Sequence, residues 1–248
     1  MRASRTSLGS LQCIVAQATQ DPPRGLAVLC HGFGATGEDL VSLAPELVKL
    51  QPALEQARFV FPAAPISLGW TGMGEGLAWW NIDFQDLEAR QREGTAGLQQ
   101  LHERTPDGLP QSRRMLREAL DVAARQANLP LSRAVLGGFS QGAMLTTDVT
   151  LRLEEAPAGL CILSGTLLAE SEWRRLAPSR AGLPVFQSHG TYDPLLPFSS
   201  AQALRDLLEG AGLRVDFHPF DDQHTIPYEL LAPLAEFLAK RLALTAPG

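Results

Sequence analysis

The hydrophobic residues of this chain fall into short apolar runs separated by longer stretches with helical periodicity. Apolar positions that recur every three or four residues predict helices at 37–50, 111–128, 141–153, 199–210 and 227–244. The short runs have the character of buried or half-buried strands and lie at 11–16, 26–30, 57–61, 134–139, 159–163, 185–188 and 213–218. Apolar strands that alternate with amphipathic helices predict an α/β fold with a mostly parallel central sheet and helices on both faces.

Three stretches show neither pattern, namely 1–10, 94–110 and 243–248. We expect them to be loosely ordered and to carry no chemistry. No internal repeat or low-complexity tract interrupts the rest of the sequence. A chain of 248 residues is long enough to bury a full core, so we expect residues 1–248 to form a single domain.

Composition excludes several classes of partner. The formal net charge is −6, whereas nucleic-acid binding needs clustered lysine and arginine, so we expect no nucleic-acid partner. No apolar stretch is long enough to span a bilayer and the N-terminus lacks the apolar core of a signal peptide, so we expect no stable membrane insertion. The cysteine count is odd and all three lie in apolar runs, which predicts buried free thiols in a cytoplasmic protein: Cys13, Cys30 and Cys161.

The pentapeptide G-x-S-x-G at 138–142 joins the predicted strand 134–139 to the predicted helix 141–153. This strand, turn and helix arrangement holds a serine in a strained corner with its Oγ exposed. Glycines two residues before and after the serine avoid clashes that a Cβ would create there. The pattern favours Ser140 as a nucleophile over an ordinary glycine-rich turn with a solvated serine.

A serine hydroxyl needs a general base and a group that orients the base. Asp193 follows the apolar run 185–188, and His224 lies in a polar loop after the strand-like run 213–218. The order Ser140, Asp193, His224 is the order of nucleophile, acid and base in the α/β-hydrolase fold. All three follow predicted strands, where an open parallel sheet places its ligands.

Other histidines and acids fit these roles less well. Asp221 and Asp222 lie too near His224 in sequence for a separate strand to present them to it. The remaining four histidines have positions typical of packing, turn geometry, a solvated surface or a strand interior: His31, His189, His102 and His218.

Acyl transfer also requires hydrogen-bond donors for the developing oxyanion. The backbone N–H of Gln141, directly after the nucleophile, is the first expected donor. The second is the N–H of Phe33, in the glycine-rich segment 31–37 that follows the run 26–30. A phosphate-binding loop is the alternative for that segment, but neither nucleotide-binding pattern matches it. The histidines and cysteines show no zinc spacing, so we predict no metal and no cofactor.

Taken together, five segments resemble the carboxylesterase, lysophospholipase and acyl-protein thioesterase family of serine α/β-hydrolases. They are 29–34, 61–65, 137–142, 189–197 and the loop of His224. The resemblance implies an acyl pocket covered by a flap, which corresponds here to the segment 65–110. Residues expected to contact the substrate are Trp70, Met73, Trp79, Trp80 and Leu195. The alternative for the tryptophans is packing on the core.

We therefore predict a serine carboxylesterase that cleaves small acyl esters through an acyl-enzyme. Lysophospholipase or acyl-protein thioesterase activity is the alternative, because these differ in pocket length and leaving group rather than in machinery. Serine peptidase activity is less favoured, because the sequence shows no second domain that would control the access of large substrates to the active site. A non-catalytic binding protein with a hydrolase fold would be expected to lack one of the three catalytic side chains. An exposed apolar groove would suit either an acyl chain or a second subunit, which leaves a homodimer open.

Overall fold

A twisted sheet of eight strands forms the centre of the protein in a computed structural model that describes residues 1–69, 72 and 74–245. The strands of the described residues are β1 (Arg2–Leu8), β2 (Leu11–Gln17), β3 (Gly25–Cys30), β4 (Ala57–Pro62), β5 (Ile66–Ser67), β6 (Leu77–Ala78), β7 (Ala134–Phe139), β8 (Gly159–Leu163), β9 (Pro184–Gly190) and β10 (Arg214–Phe220). The α-helices are α1 (Leu43–Leu50), α2 (Phe84–Arg92), α3 (Thr95–Glu103), α4 (Leu109–Ala127), α5 (Gln141–Arg152), α6 (Glu170–Leu176), α7 (Phe198–Gly210) and α8 (Leu231–Arg241).

The central sheet has the strand order β1-β2-β4-β3-β7-β8-β9-β10. The β1–β2 and β2–β4 pairs are antiparallel, and all other neighbours in this sheet are parallel. The mostly parallel α/β sheet predicted from the sequence is thereby confirmed. The short strands β5 and β6 form a separate antiparallel pair.

Both faces of the sheet are covered, as the continuous apolar runs of its central strands require. In β3, Leu26 and Val28 belong to the apolar cluster on one face, whereas Ala27 and Leu29 belong to the cluster on the other. Helices α4, α5, α6 and α7 contribute to the first cluster, and α1 and α8 to the second. The period of two along a strand therefore divides a single apolar run between two cores.

Two stretches expected to be loosely ordered are regular structure, so those predictions were wrong. Within 1–10, β1 pairs with β2 along its whole length although most of its side chains are exposed. Within 94–110, α3 is followed by the first turn of α4. Helix α2 was also missed, because it buries no residue and has no apolar stripe. Asp83 caps it by accepting hydrogen bonds of 3.0 Å from the backbone N–H groups of Gln85 and Asp86.

The three cysteines are buried and free, as predicted. Burial raises the pKa of Cys13 to about 11 and raises the pKa values of Cys30 and Cys161 as well. Within the described part of the chain, no helix is both long and apolar enough to cross a membrane.

Candidate active site

Ser140 occupies the sharp corner between β7 and α5. Its φ of 54° and ψ of −119° lie outside the regions that L-residues favour, so the corner stores backbone strain. A hydrogen bond of 2.8 Å from the Ser140 N–H to the carbonyl of Leu163 ties this corner to the end of β8. The strain is thus maintained by the sheet, and it directs the partly exposed serine away from the strand.

Gly138 and Gly142 are required by the close approach of β3 to this corner. A Cβ on Gly138 would lie 2.5 Å from the carbonyl oxygen of Cys30. A Cβ on Gly142 would overlap the same oxygen and would also crowd the carbonyl of His31. The two glycines of the pentapeptide therefore have a steric reason that is specific to this fold.

Asp193 lies in the loop after β9 with its side chain fully buried. Its Oδ2 accepts a hydrogen bond of 2.6 Å from Nδ1 of His224. Its Oδ1 accepts two more, each of 2.9 Å, from the backbone N–H groups of Leu195 and Leu196. Every oxygen of this buried carboxylate is thus hydrogen-bonded.

The charge state of Asp193 follows from these contacts. Burial alone raises the pKa of its carboxyl, but hydrogen bonds from His189 and His224 and from the backbone outweigh burial and hold that pKa well below its usual value. An ionised carboxylate accepts the Nδ1 proton of His224, which leaves Nε2 of the ring as its basic nitrogen.

The loop of His224 reaches Asp193 because β10 runs parallel to β9 and their ends lie side by side. Gly190, at the end of β9, packs directly against the carbonyl groups of Asp222 and Gln223, where a Cβ would not fit. The imidazole of His224 lies against the ring of Phe139, with 4.7 Å between ring centroids. Phe139 immediately precedes Ser140, so the imidazole lies beside the strained corner.

The glycine-rich segment after β3 borders the same corner. A Cβ on Gly32 would lie 3.3 Å from the Cβ of Ser140, which places the Gly32–Phe33 peptide next to the serine. His31 fixes this segment: its Nδ1 donates to the carbonyl of Gly32 at 2.8 Å, and its Nε2 accepts from the N–H of Ala64 at 3.0 Å. Burial lowers the pKa of His31, in agreement with this neutral tautomer.

Gln141 connects the corner to the segment before α2. Its Oε1 accepts a hydrogen bond of 2.8 Å from the N–H of Trp79, and its Nε2 donates to the carbonyl of Trp80 at 2.8 Å. The indole Nε1 of Trp79 donates to the carbonyl of His31 at 2.9 Å. The backbone around Ser140 is therefore supported on two sides by buried hydrogen bonds.

A cavity of about 280 Å³ lies next to this arrangement. Its walls are mostly apolar and come from the segment 80–87, from α3 and from residues close to the corner. The backbone N–H of Met144, one of its wall residues, donates to the carbonyl of Ser140 at 3.1 Å. Leu196, whose N–H holds Asp193, forms another part of the wall. Residues of the cavity wall are thus hydrogen-bonded to both Ser140 and Asp193.

A sequence profile described as phospholipase/carboxylesterase matches residues 11–242, which is most of the chain. The chain belongs to the phospholipase/carboxylesterase family. The family expected from the five segments is thereby confirmed, and the protein is a hydrolase of that family.

Curated relatives of this family member are similar along most of its length. Acyl-protein thioesterase 1 of Eremothecium gossypii is 30% identical over 194 residues, which cover 75% of this chain and 74% of the relative. Acyl-protein thioesterase 1 of Neurospora crassa is 28% identical over 229 residues, 88% of this chain and 87% of the relative.

Solved structures agree with the fold of this family member. The crystal structure of esterase PE8 superposes with a TM-score of 0.76 at 25% sequence identity and covers 97% of this chain and 99% of its own. A carboxylesterase from Mesorhizobium loti superposes with a TM-score of 0.72 at 20% identity, with coverage of 96% and 98%. The second comparison supports the fold alone.

The residues predicted to contact substrate lie in different environments in this family member. Trp80 lines the cavity. Trp79 is fully buried, with its indole hydrogen-bonded to the segment 31–33, and it does not belong to the cavity wall that the described residues form. Leu195 is 46% exposed outside the cavity, and its neighbour Leu196 lines the wall instead. The predicted contacts at Trp70 and Met73 lie outside the described residues.

Two histidines have contacts that sequence reasoning missed. His102 was expected to be solvated, but it is buried, and its Nε2 lies 2.8 Å from Oγ of Ser200. His189 has a position typical of packing or turn geometry, but its Nε2 lies 3.2 Å from Oδ2 of Asp193. Its position four residues before Asp193 was the available signal. Within residues 1–69, 72 and 74–245, no group of three or more His, Cys, Asp or Glu side chains is arranged to hold a metal ion.

Proposed function

We propose that this protein is a serine carboxylesterase in which Ser140 is the nucleophile, His224 the general base and Asp193 the group that orients the base. The observation that carries the proposal is the 2.6 Å hydrogen bond between Asp193 Oδ2 and His224 Nδ1, beside a serine in a strained strand-to-helix corner. A neutral imidazole with Nδ1 engaged in this way presents Nε2 as the proton acceptor.

The proposed reaction has two half-reactions. Oγ of Ser140 bonds to the ester carbonyl carbon while its proton passes to Nε2 of His224, and the carbonyl oxygen becomes an oxyanion. When the tetrahedral species collapses, the bond to the alcohol oxygen breaks and that oxygen takes the proton from Nε2. Water then repeats the sequence on the acyl-enzyme, which releases the acid and restores Ser140. Asp193 stabilises the imidazolium in both halves.

The backbone N–H groups of Gln141 and Phe33 are the proposed oxyanion donors. Gln141 is the first residue of α5, and N–H groups in the first turn of a helix have no partner within the helix. Phe33 follows Gly32, which lies against Ser140. Support for their fixed position comes from the buried hydrogen bonds of His31 and Gln141. Such preorganised donors stabilise the transition state because they need not reorient.

The cavity beside Met144 and Leu196 is the proposed site of the acyl group. Its apolar wall suits a hydrocarbon chain. Its volume of about 280 Å³ lies at the lower limit of ligand pockets, which span roughly 300–1,000 Å³. On one side, Asp86 and Arg104 are wall residues joined by a salt bridge of 2.7 Å, and burial of a long apolar chain against this pair is unfavourable. We therefore propose short or medium acyl chains.

Hydrolysis of a p-nitrophenyl ester series from acetate to palmitate tests this proposal. Wild type should be most active on short and medium chains, and Ser140→Ala and His224→Ala should each lower kcat at least about 10³-fold. A fluorophosphonate probe should label wild type and not Ser140→Ala. Full activity in Ser140→Ala would refute the assigned nucleophile. A wild type that is both inactive and unlabelled would favour a non-catalytic binding protein.

Thioester hydrolysis is the second candidate, because the relatives from Eremothecium gossypii and Neurospora crassa are named acyl-protein thioesterase 1. The same proposed residues would serve, since only the leaving group changes from an alkoxide to a thiolate. Comparison of kcat/KM for an ester and a thioester of the same octanoyl group separates the two. A carboxylesterase should accept the alkyl ester at a rate comparable to that of the thioester, whereas a dedicated thioesterase should discriminate strongly against the alkyl ester, the less reactive of the two.

A further inference from the structure

His189 is a second histidine on the carboxylate of Asp193. It lies in β9, and its side chain is fully buried, as is that of Asp193. Its Nε2 lies 3.2 Å from Oδ2 of Asp193, the same oxygen that accepts the 2.6 Å hydrogen bond from His224. It also lies 2.8 Å from the carbonyl oxygen of Leu196.

These contacts determine the tautomer of His189. A carboxylate oxygen and a backbone carbonyl are both acceptors, so the proton must be on Nε2, which donates to both. The other nitrogen, Nδ1, is buried and has no hydrogen-bond partner among the described residues. Buried imidazole nitrogens without a partner are unfavourable, so packing alone would be better served by an apolar side chain.

Nε2 of His189 connects Asp193 to Leu196 within the loop that follows β9. The N–H of Leu196 donates to Oδ1 of Asp193, and the carbonyl of Leu196 accepts from His189, which also reaches Oδ2. His189 therefore restrains Oδ2 at the position from which it accepts the Nδ1 proton of His224. It also withdraws part of the carboxylate charge from the contact with His224.

We propose that His189 is a positioning residue that sets both the orientation of Asp193 and the strength of its hydrogen bond to His224. This inference rests on the proposed function, in which His224 is the general base. His189 acts through Asp193 and does not touch the reacting atoms.

The ionisable groups that face His224 come from the end of β9 and from its own loop. Asp193 and His189 face it from the end of β9, and Asp221 and Asp222 are exposed in its own loop. The neighbours at the ends of β7 and β8 are the uncharged residues Phe139 and Ser164. The ring of Phe139 packs on the imidazole, and Ser164 Oγ donates to the carbonyl of Thr225, next to His224. A change confined to His189 thus reaches His224 through Asp193.

The test compares His189→Leu and His189→Gln with wild type in ester hydrolysis across pH. In His189→Leu, we expect kcat to fall about tenfold or more with KM within twofold, because one hydrogen bond to a charged group is lost. The acid limb of the kcat/KM profile should move to higher pH, because a carboxylate with fewer donors attracts the protonated imidazole more strongly. His189→Gln supplies two amide N–H donors, one for each acceptor, and should recover most of both effects.

Gln187→Leu is the matched control. Gln187 is fully buried two residues earlier in β9, and its Nε2 donates a hydrogen bond to the carbonyl of Ala201. The leucine variant loses this one hydrogen bond. It should therefore have lower thermal stability than wild type but the same acid limb of the kcat/KM profile. If His189→Leu keeps the wild-type acid limb and kcat while Ser140→Ala is inactive, the role of His189 is refuted and the proposed function stands. If Ser140→Ala is active, the proposed function itself fails.

Discussion

Gln141 and Trp79, which are 62 positions apart in the sequence, are joined by a hydrogen bond of 2.8 Å from the Trp79 N–H to Oε1 of Gln141. The amide of the same side chain donates to the carbonyl of Trp80. Gln141 directly follows the proposed nucleophile, and Trp80 lines the cavity. One buried carboxamide therefore connects the serine corner to the wall of the proposed acyl site.

Replacement of Gln141 by leucine should affect both stability and rate. Gln141→Leu leaves a buried N–H and a buried carbonyl without partners, which should lower the free energy of unfolding by about 3 kcal/mol. The kcat of Gln141→Leu should also fall, because the two lost hydrogen bonds support the backbone next to the proposed nucleophile. Urea unfolding and ester hydrolysis check this. Equal stability of Gln141→Leu and wild type would show that the two hydrogen bonds contribute nothing.

Gly142→Ala should severely destabilise the fold, because its Cβ would overlap the carbonyl oxygen of Cys30. The measurement is the yield of folded protein and its Tm. Gly210→Ala is the control: Gly210 ends α7 with open space around it, so alanine should be neutral or stabilise by about 0.5–1 kcal/mol. Similar Tm values for the two variants would contradict the steric argument.

Asp193 should make stability depend on pH on the acid side. The pKa of its carboxyl is depressed in the folded state, so its contribution is present above the unfolded pKa, near 3.8, and is lost as pH falls toward the folded pKa. The free energy of unfolding should therefore be higher for wild type than for Asp193→Asn. This difference should be largest at pH 7 and should narrow below about pH 4. Urea unfolding at pH 7, 5, 4 and 3 measures it, and a gap independent of pH would argue against a depressed pKa.

The three thiols should be unreactive in the folded protein. All are buried, and burial raises the pKa of each, so the thiolate fraction at neutral pH is very small. Ellman's reagent at pH 7.5 should detect no rapid reaction with native protein and three thiols after denaturation in guanidinium chloride. Rapid labelling of native protein would show that a strand carrying a cysteine opens readily.

Leu98→Trp should shift the acyl-chain preference toward shorter esters. Leu98 is a half-buried residue of α3 on the cavity wall, and an indole there would occupy part of the roughly 280 Å³. The ratio of kcat/KM for octanoate to that for acetate should fall at least about tenfold. Leu50→Trp, at the exposed end of α1 away from the cavity wall, is the control and should keep the wild-type ratio. An unchanged ratio in Leu98→Trp would place the acyl chain elsewhere.

The fold class, the family and the set of residues proposed for catalysis could all be predicted from the sequence. Runs such as 134–139 and 159–163 match observed strands residue for residue, because a buried strand needs an apolar run and a turn residue on each side. The G-x-S-x-G pattern was informative for a similar reason, since its glycines are set by one local corner. Ser140, Asp193 and His224 were predicted from their order and their places after strands.

The sequence did not predict which side chains share a site, because that depends on how distant elements pack together. The amphipathic pattern does not separate Trp79, buried behind the segment 31–33, from Trp80, which lines the cavity. The burial of His102 against Ser200 depends on two helices that are distant in sequence. The contact of His189 with Asp193 needs the loop after β9 to fold back on the strand. Such contacts depend on how elements pack together, and the periodicity of a single element carries no information about its partners.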